Sequence, residues 1–543
     1  MKQYTIGIDY GTLSGRALLL DAVTGEAVAT STLEYAHAVM DRTLPDGTPL
    51  DPQSAYQHPA DYLEVLKVTI ADVLSQANAT PAEVVGLGID FTCCTLLPIR
   101  KDGTPLCFEA QYKSQPHAYV KLWKHHAAQE QADRMTEIAR ERGERWLARY
   151  GGKLSSEWAF PKIYETLLRA PEVYENTFRF LEAGDWLSLI LTGNETHAAC
   201  FAELKFCWDP DEGFPTDDYL AAVDPRLSGL IGTKVCDRIN TVEEIAGRLT
   251  TRGAELTGLL EGTPLALPVP DATAALPALG ITEPGVLLSI IGTSGVLLAH
   301  DREVKGIQGL CGYANRGIVP DLCTYEAGQA GVGDSFDWFV KNCVPVHYTK
   351  DAATQGISIH KYLRQKASKL RIGESGLIAL DWLNGNRSVL QDASLSGMIV
   401  GLHLGTRPEE IYRALIESTA YGMRRCMEAF AEGGIKIDTV RASGGIAKKD
   451  ELLMQIYADV CGREIAVIDT DQGGALGSAI YAAVAAGLYP SVVEASQALS
   501  EKKAIVYKPI PENQAAYEKL YTEYKKLYDY FGTVNPVMKK LRT

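Results

Sequence analysis

An apolar strand, a turn of Gly, Thr and Ser, and a second apolar strand occur twice in this chain, first in YTIGIDYGTLSGRALLLD near the start and again in GVLLSIIGTSGVLLAHD at 285–301. Alternating apolar and polar residues around a cluster of small ones predict a β-hairpin in each case. Two copies of one unit in a 543-residue chain predict internal duplication, with each copy opening a domain. After each hairpin, helical patterns alternate with short apolar runs, EVVGLGID at 83–90 and TVRASGG at 439–445, the rhythm of layered α/β domains. The Pro- and Gly-rich stretch at 262–285 separates the halves, and a cut at Ile281 gives domains at 1–281 and 282–543.

Two long helices are expected. One covers 116–150, with apolar residues at helical spacing and Gly143 as a break; the other covers 408–434, opening on Pro and paired glutamates and closing on Gly433-Gly434. The charged, Tyr-rich tail at 501–543 predicts a terminal helix packed on the second domain.

The net charge of −15 opposes a surface built to neutralise a phosphate backbone, which excludes nucleic acid and anionic membranes as partners. A small phosphate ligand stays open, because backbone N–H groups and a bound cation can hold one within an acidic protein. The start, MKQYTIGIDYG, has no secretory pattern. The uncharged run at 472–493 holds glycines and a proline and reads as a buried helix, so no membrane span is expected. Eleven cysteines without a CxxC pair predict reduced thiols and a cytoplasmic protein, and ten histidines without a zinc spacing predict no structural transition metal.

The turns Gly11-Thr12-Leu13-Ser14 and Gly292-Thr293-Ser294-Gly295 suit phosphate, since glycine lets backbone N–H groups approach the oxygens and the hydroxyls add donors. One such turn alone is weak, but a pair in duplicated halves can clamp a nucleotide from two sides. Asp9, in the strand entering the first turn, can hold Mg²⁺ or its water shell, or serve as an Asx-turn residue. Arg16 can pair with phosphate or stand exposed. Asp271, flanked by Pro, Val and Ala, has a setting that raises a carboxyl towards a general base, or it caps the alanine-rich helix that follows. Gly444-Gly445 lies between a strand and a helix, where ligands enter α/β sheets, but fits neither GxGxxG nor GxxxxGK[ST]. The small residues at 471–487 permit close helix packing.

In order, GIDYGTLSGRALLLD, GTSGVLL, SGGIAKKDELLMQIYADV and DQGGALGSAIYAAVAAG resemble the FGGY carbohydrate kinases, and these motifs span nearly the whole chain. DFTCCTLLP, PHAYVKLWKHHAAQ, FAELKFCWDP, YEAGQAGVGDSFDWF and DWLNGNRSVLQD look like the ribulose-phosphorylating branch of that family. The resemblance implies two ribonuclease H-like domains of the actin and hexokinase type with a cleft between them, the first binding sugar and the second nucleotide. It implies phosphorylation of L-ribulose at the 5-hydroxyl with ATP and Mg²⁺ in arabinose catabolism, by a cytoplasmic enzyme and homodimer. Another ketopentose or polyol such as xylulose, or a catalytically silent sensor, are the alternatives. By motif match, Asp271 resembles the catalytic base. Cys93 or Cys94, Trp123, Lys205 and Glu326 fall in sugar-contacting segments. Asp9, Gly11, Thr12, Ser14 and Arg16 resemble the first phosphate element, Gly292, Thr293, Ser294 and Gly295 the second, and Gly444 and Gly445 the adenosine side. The chain departs from the family's pattern in having Thr273 after Asp271-Ala272 and Lys449-Asp450 after the Gly-Gly segment.

Overall fold

The computed structural model describes residues 2–470 and 472–541 and divides into two compact units. The first comprises Met1–Thr282, Tyr313–Thr324 and Gln472–Glu501; the second comprises Glu283–Gly312, Tyr325–Asp471 and Lys502–Thr543. Two segments beyond residue 282 thus lie with the first unit.

The first hairpin forms as expected. Strands Tyr4–Tyr10 and Ser14–Asp21 pair antiparallel, Val84–Phe91 joins Tyr4–Tyr10 in parallel, and Ala27–Glu34, Pro264–Ala266 and Ile245–Arg248 extend the sheet. Every residue of Tyr4–Tyr10 is buried, because helices cover both faces. Helix Pro59–Ala77 lies on one of them, with Val65 filling the space that a side chain on Gly15 would need. Helix Gly473–Ala485 lies on the other, so close that a Cβ on Gly7 would stand 1.8 Å from the Ala475 carbonyl oxygen and one on Gly88 2.0 Å from that of Ser478. The close packing expected of the small residues at 471–487 takes place here; Asp471 itself lies outside the described residues.

The second unit repeats the design. Gly285–Ile291 and Gly295–Asp301 pair antiparallel and Ile437–Ser443 runs parallel beside the first of them, followed by Ile465–Ile468 and Ala504–Tyr507. The expected long helix is observed at Pro408–Glu432 and buries Tyr412, Ile416 and Phe430. The tail forms helix Pro511–Asp529, which lays Tyr517, Tyr521, Tyr524 and Tyr528 into the second unit.

The expected helix over 116–150 is broken. The chain makes a 3₁₀ turn at Pro116–Ala118, a strand at Val120–Lys121, a helix at Gln129–Arg142 that Gly143 ends with φ 69°, and a 3₁₀ turn at Arg145–Tyr150. Helix propensity yields there to tertiary pairing: Lys121 sits opposite both Tyr56 and Leu96. Tyr56–Gln57, Val120–Lys121, Leu96–Ile99 and Arg179–Glu182 form a small four-stranded sheet of the first unit. No helix among the described residues is long and apolar enough to cross a membrane.

Candidate active site

Three aspartates come together at the carboxyl ends of adjacent parallel strands, where α/β sheets hold ligands. Asp9 and Asp90 are in-register partners, Val269 is the partner of Asp90, and the chain then turns through Pro270 into Asp271. Asp271 is the first residue of helix Asp271–Ala278 and Pro270 occupies the N-cap position, so the aspartate does not cap that helix. Its Oδ1 accepts the Ala272 N–H at 2.7 Å, which fixes the carboxylate. Asp90 is fully buried and accepts the Ser478 hydroxyl at 2.7 Å. Burial, and then the charge of Asp9, hold its carboxyl well above the usual range; burial raises Asp9 as well, against the pull of Arg16. Arg16 approaches Asp9 at 3.5 Å with its guanidinium partly exposed.

Gly474 lies against this pair. A Cβ there would stand 3.1 Å from Asp9 Cγ and 3.1 Å from Asp90 Oδ1, so the cradle is made of backbone. Among the described residues no group of three or more His, Cys, Asp or Glu could hold a metal unaided. One or two hard carboxylates fit Mg²⁺, which keeps water and phosphate oxygens for its remaining positions. Sequence reasoning passed over Asp90, although LGID at 87–90 repeats IGID at 6–9.

The turn after Asp9 closes with the Gly11 N–H on the Ser14 carbonyl at 3.0 Å. The Gln57 amide donates to the Thr12 carbonyl at 2.8 Å and the Trp123 indole to the Thr12 hydroxyl at 3.1 Å, which brings two predicted site residues into contact. Cys93 and Cys94 follow Asp90 by a tight turn in which Cys94 takes φ 62°, a left-handed conformation costing about 1 kcal/mol outside glycine. The Thr92 and Thr95 hydroxyls meet at 2.6 Å across it. Lys205, at the end of helix Ala199–Lys205, is near enough to Cys94 and Glu182 to act on both electrostatically, and its ammonium stands 5.9 Å from the Trp158 ring.

The second unit brings its own elements together. The Gly292 N–H meets the Ser294 carbonyl at 3.0 Å, as in the first turn, and the Val332 N–H donates to the Thr293 carbonyl at 2.8 Å. Ile290 and Ser443 are strand partners, so the turn at Gly292, Thr293, Ser294 and Gly295 adjoins Gly444-Gly445. Gly444 has φ 103°, and a Cβ on it would stand 2.4 Å from the Ile291 carbonyl oxygen; only glycine fits there. Glu326, on strand Cys323–Gln329, is held by Arg387 at 2.8 Å.

Residues 4–277 match the N-terminal domain of the FGGY family of carbohydrate kinases and residues 287–486 match its C-terminal domain. The chain is 49% identical over 535 residues, 98% of its length and 97% of the relative's, to a ribulokinase of Bacillus licheniformis. It is 48% identical to a ribulokinase of Geobacillus thermodenitrificans, over 100% of this chain and 97% of that one. A xylulose kinase structure from Rhodospirillum rubrum superposes with a TM-score of 0.80 at 22% identity, covering 99% of this chain and 100% of that one. Glycerol kinase of Plasmodium falciparum does so at 0.76 and 16%, covering 98% and 99%. These structures share the fold: two domains of mixed α/β architecture of the actin and hexokinase type.

Proposed function

The chain belongs to the FGGY family of carbohydrate kinases, and from that premise we propose that it phosphorylates L-ribulose at the 5-hydroxyl with MgATP, giving ribulose 5-phosphate in arabinose catabolism. What carries the reading is the 49% identity across 98% of the chain to a protein named ribulokinase. The geometry supports it at Asp271, whose carboxylate sits at a strand end beside Asp9 and Asp90 with one oxygen fixed by the Ala272 N–H.

The sugar's 5-oxygen forms the new O–P bond as the bond between the γ-phosphorus and its bridging oxygen breaks, the proton passes to Asp271, and ADP leaves. Cys93, Trp123, Lys205 and Glu326 contact the sugar. Gly11, Thr12, Ser14 and Arg16 form one phosphate element and Gly292, Thr293, Ser294 and Gly295 the other, with Gly444 and Gly445 beside the adenosine. Asp9 holds the Mg²⁺, directly or through water; bound there, the ion offsets phosphate charge. A cytoplasmic enzyme suits the eleven cysteines, which form no CxxC pair, and a homodimer is the assembly that sedimentation would test.

The deciding experiment is an ADP-release assay with MgATP against L-ribulose, D-ribulose, L-xylulose, D-xylulose and glycerol. The highest kcat/KM belongs to L-ribulose on this reading. Preference for xylulose or glycerol would overturn the substrate, and ligand-stabilised melting without turnover would overturn the enzyme.

A further inference from the structure

We propose that Lys162 and Glu182 are positioning residues that lock the turn at 93–95 to the segment of Trp123 and thereby set which ketopentose is accepted; the proposal rests on the sugar-facing role given to Cys93 and Trp123 above. Lys162 lies on helix Ala159–Arg169 and is fully buried. Its ammonium donates to the Cys94 carbonyl at 2.7 Å and to the carbonyl of Leu122, the residue before Trp123, at 2.9 Å. One side chain therefore bridges two walls of the expected sugar pocket. Glu182, 1% exposed, ends strand Arg179–Glu182 and takes the other side of the same turn: its two carboxylate oxygens accept the Cys94 and Thr95 N–H groups, each at 2.9 Å. Leu96, the next residue, is strand partner to both Glu182 and Lys121, so all three segments converge one residue beyond the turn.

The same helix secures Trp123 from its other flank. Glu165 receives the Lys121 ammonium at 2.6 Å and His125 Nε2 stands 2.9 Å from it, while the Lys121 ammonium also donates to the Lys162 carbonyl at 3.0 Å. Residues two before and two after Trp123 are thus tied to one helical turn. A core gains little stability from buried charges of this kind, since well-packed apolar residues serve it equally well or better. What the charges supply here is backbone geometry: Cys94 keeps its φ of 62° with its N–H and its carbonyl both bound by buried ionisable groups. Ketopentoses differ in the direction of single hydroxyls, so selectivity requires that polar groups around the sugar stay fixed.

The test uses the full-length protein with Glu182→Gln, Lys162→Met and the double substitution, which removes both charges and so avoids leaving one buried alone. For each, kcat and KM are measured for L-ribulose, D-ribulose, D-xylulose and ATP, alongside melting and amide hydrogen exchange. The expected result is a KM for L-ribulose raised about tenfold and a preference over the other ketopentoses lowered about fivefold, with the KM for ATP within about twofold. Exchange at the Cys94 and Thr95 amides is expected to quicken about tenfold or more in the Glu182→Gln protein while distant core amides keep their protection. Folded variants with an unchanged sugar preference and unchanged exchange at these amides would overturn the clamp, as would an equal loss towards sugar and ATP. A wild-type protein that turns over no ketopentose overturns the functional reading instead, and the exchange result then decides the clamp by itself.

Discussion

Asp9 and Asp90 stand side by side as in-register partners, each closing a tetrapeptide of the same design, Ile6-Gly7-Ile8-Asp9 and Leu87-Gly88-Ile89-Asp90. The glycines face a helix that crosses both strands, and Gly474 near its start leaves room for the two carboxylates. Gly474→Ala places a methyl group 3.1 Å from Asp9 Cγ, so the carboxylates must shift by a few tenths of an ångström. A kcat lower by about tenfold is expected with melting nearly unchanged, because a displacement near 1 Å costs about a hundredfold in a positioned site. Steady-state kinetics and a thermal melt check this.

Gly477→Ala has the opposite profile. Its Cβ would stand 1.7 Å from the Ala274 carbonyl oxygen, which belongs to backbone and cannot rotate away. A loss of about 3 kcal/mol or more is expected, read from urea midpoints.

Asp271→Asn keeps the shape of the side chain and removes the proton acceptor. The expected kcat is lower by about 10² to 10⁴, with the KM for ATP within about twofold. Chelation by EDTA is expected to abolish turnover in the wild-type protein, and added Mg²⁺ to restore it. Equal activity of the Asn variant would remove the assignment of the base.

Burial pushes the Glu182 carboxyl up to about 7 from an ordinary 4.5, against the pull of Lys162. The folded protein therefore keeps this proton to higher pH than the unfolded chain does. Its contribution to stability is fully present below about 4.5 and is lost as pH rises through about 7. Urea unfolding at about pH 5 and about pH 8 is expected to show a decline in the wild-type protein that is smaller in Glu182→Gln.

The C-terminal helix reaches the strand of Glu326 through one loop. Tyr524 donates to Asp381 at 2.8 Å, the Tyr528 hydroxyl accepts the Val389 N–H at 3.2 Å, and between them Arg387 pairs with Glu326. Tyr528→Phe leaves that N–H unpaired and is expected to cost about 1 to 2 kcal/mol. The KM for L-ribulose is expected to rise about threefold, since Arg387 pairs with Glu326 and the loop that carries it loses one of its anchors.

Both hairpins, the helix at 408–432 and the terminal helix were legible because each carries its own periodicity and its own end signals. Asp9 and the two Gly/Thr/Ser turns were legible for the same reason, as local patterns. The strand at Val120–Lys121 was not: it lies in a run rich in helix formers, and pairing with Tyr56, Gln57 and Leu96 holds these two residues extended. Lys162 and Glu182 escaped notice on similar grounds. Their contacts reach 68 and 88 residues along the chain, and a lysine or glutamate within an amphipathic run gives no sign that it will be buried.

The helix over Gly7 and Gly88 belongs to a segment that begins at Gln472, after the rest of the first unit has ended at Thr324. At about 5 to 20 residues per second, a nascent chain spends roughly 7 to 30 s over that interval with one face of its first sheet uncovered. Synthesis of the second unit therefore proceeds while the first is unfinished. A gene fragment ending near residue 282 would encode a sheet lacking the helix that covers one of its faces.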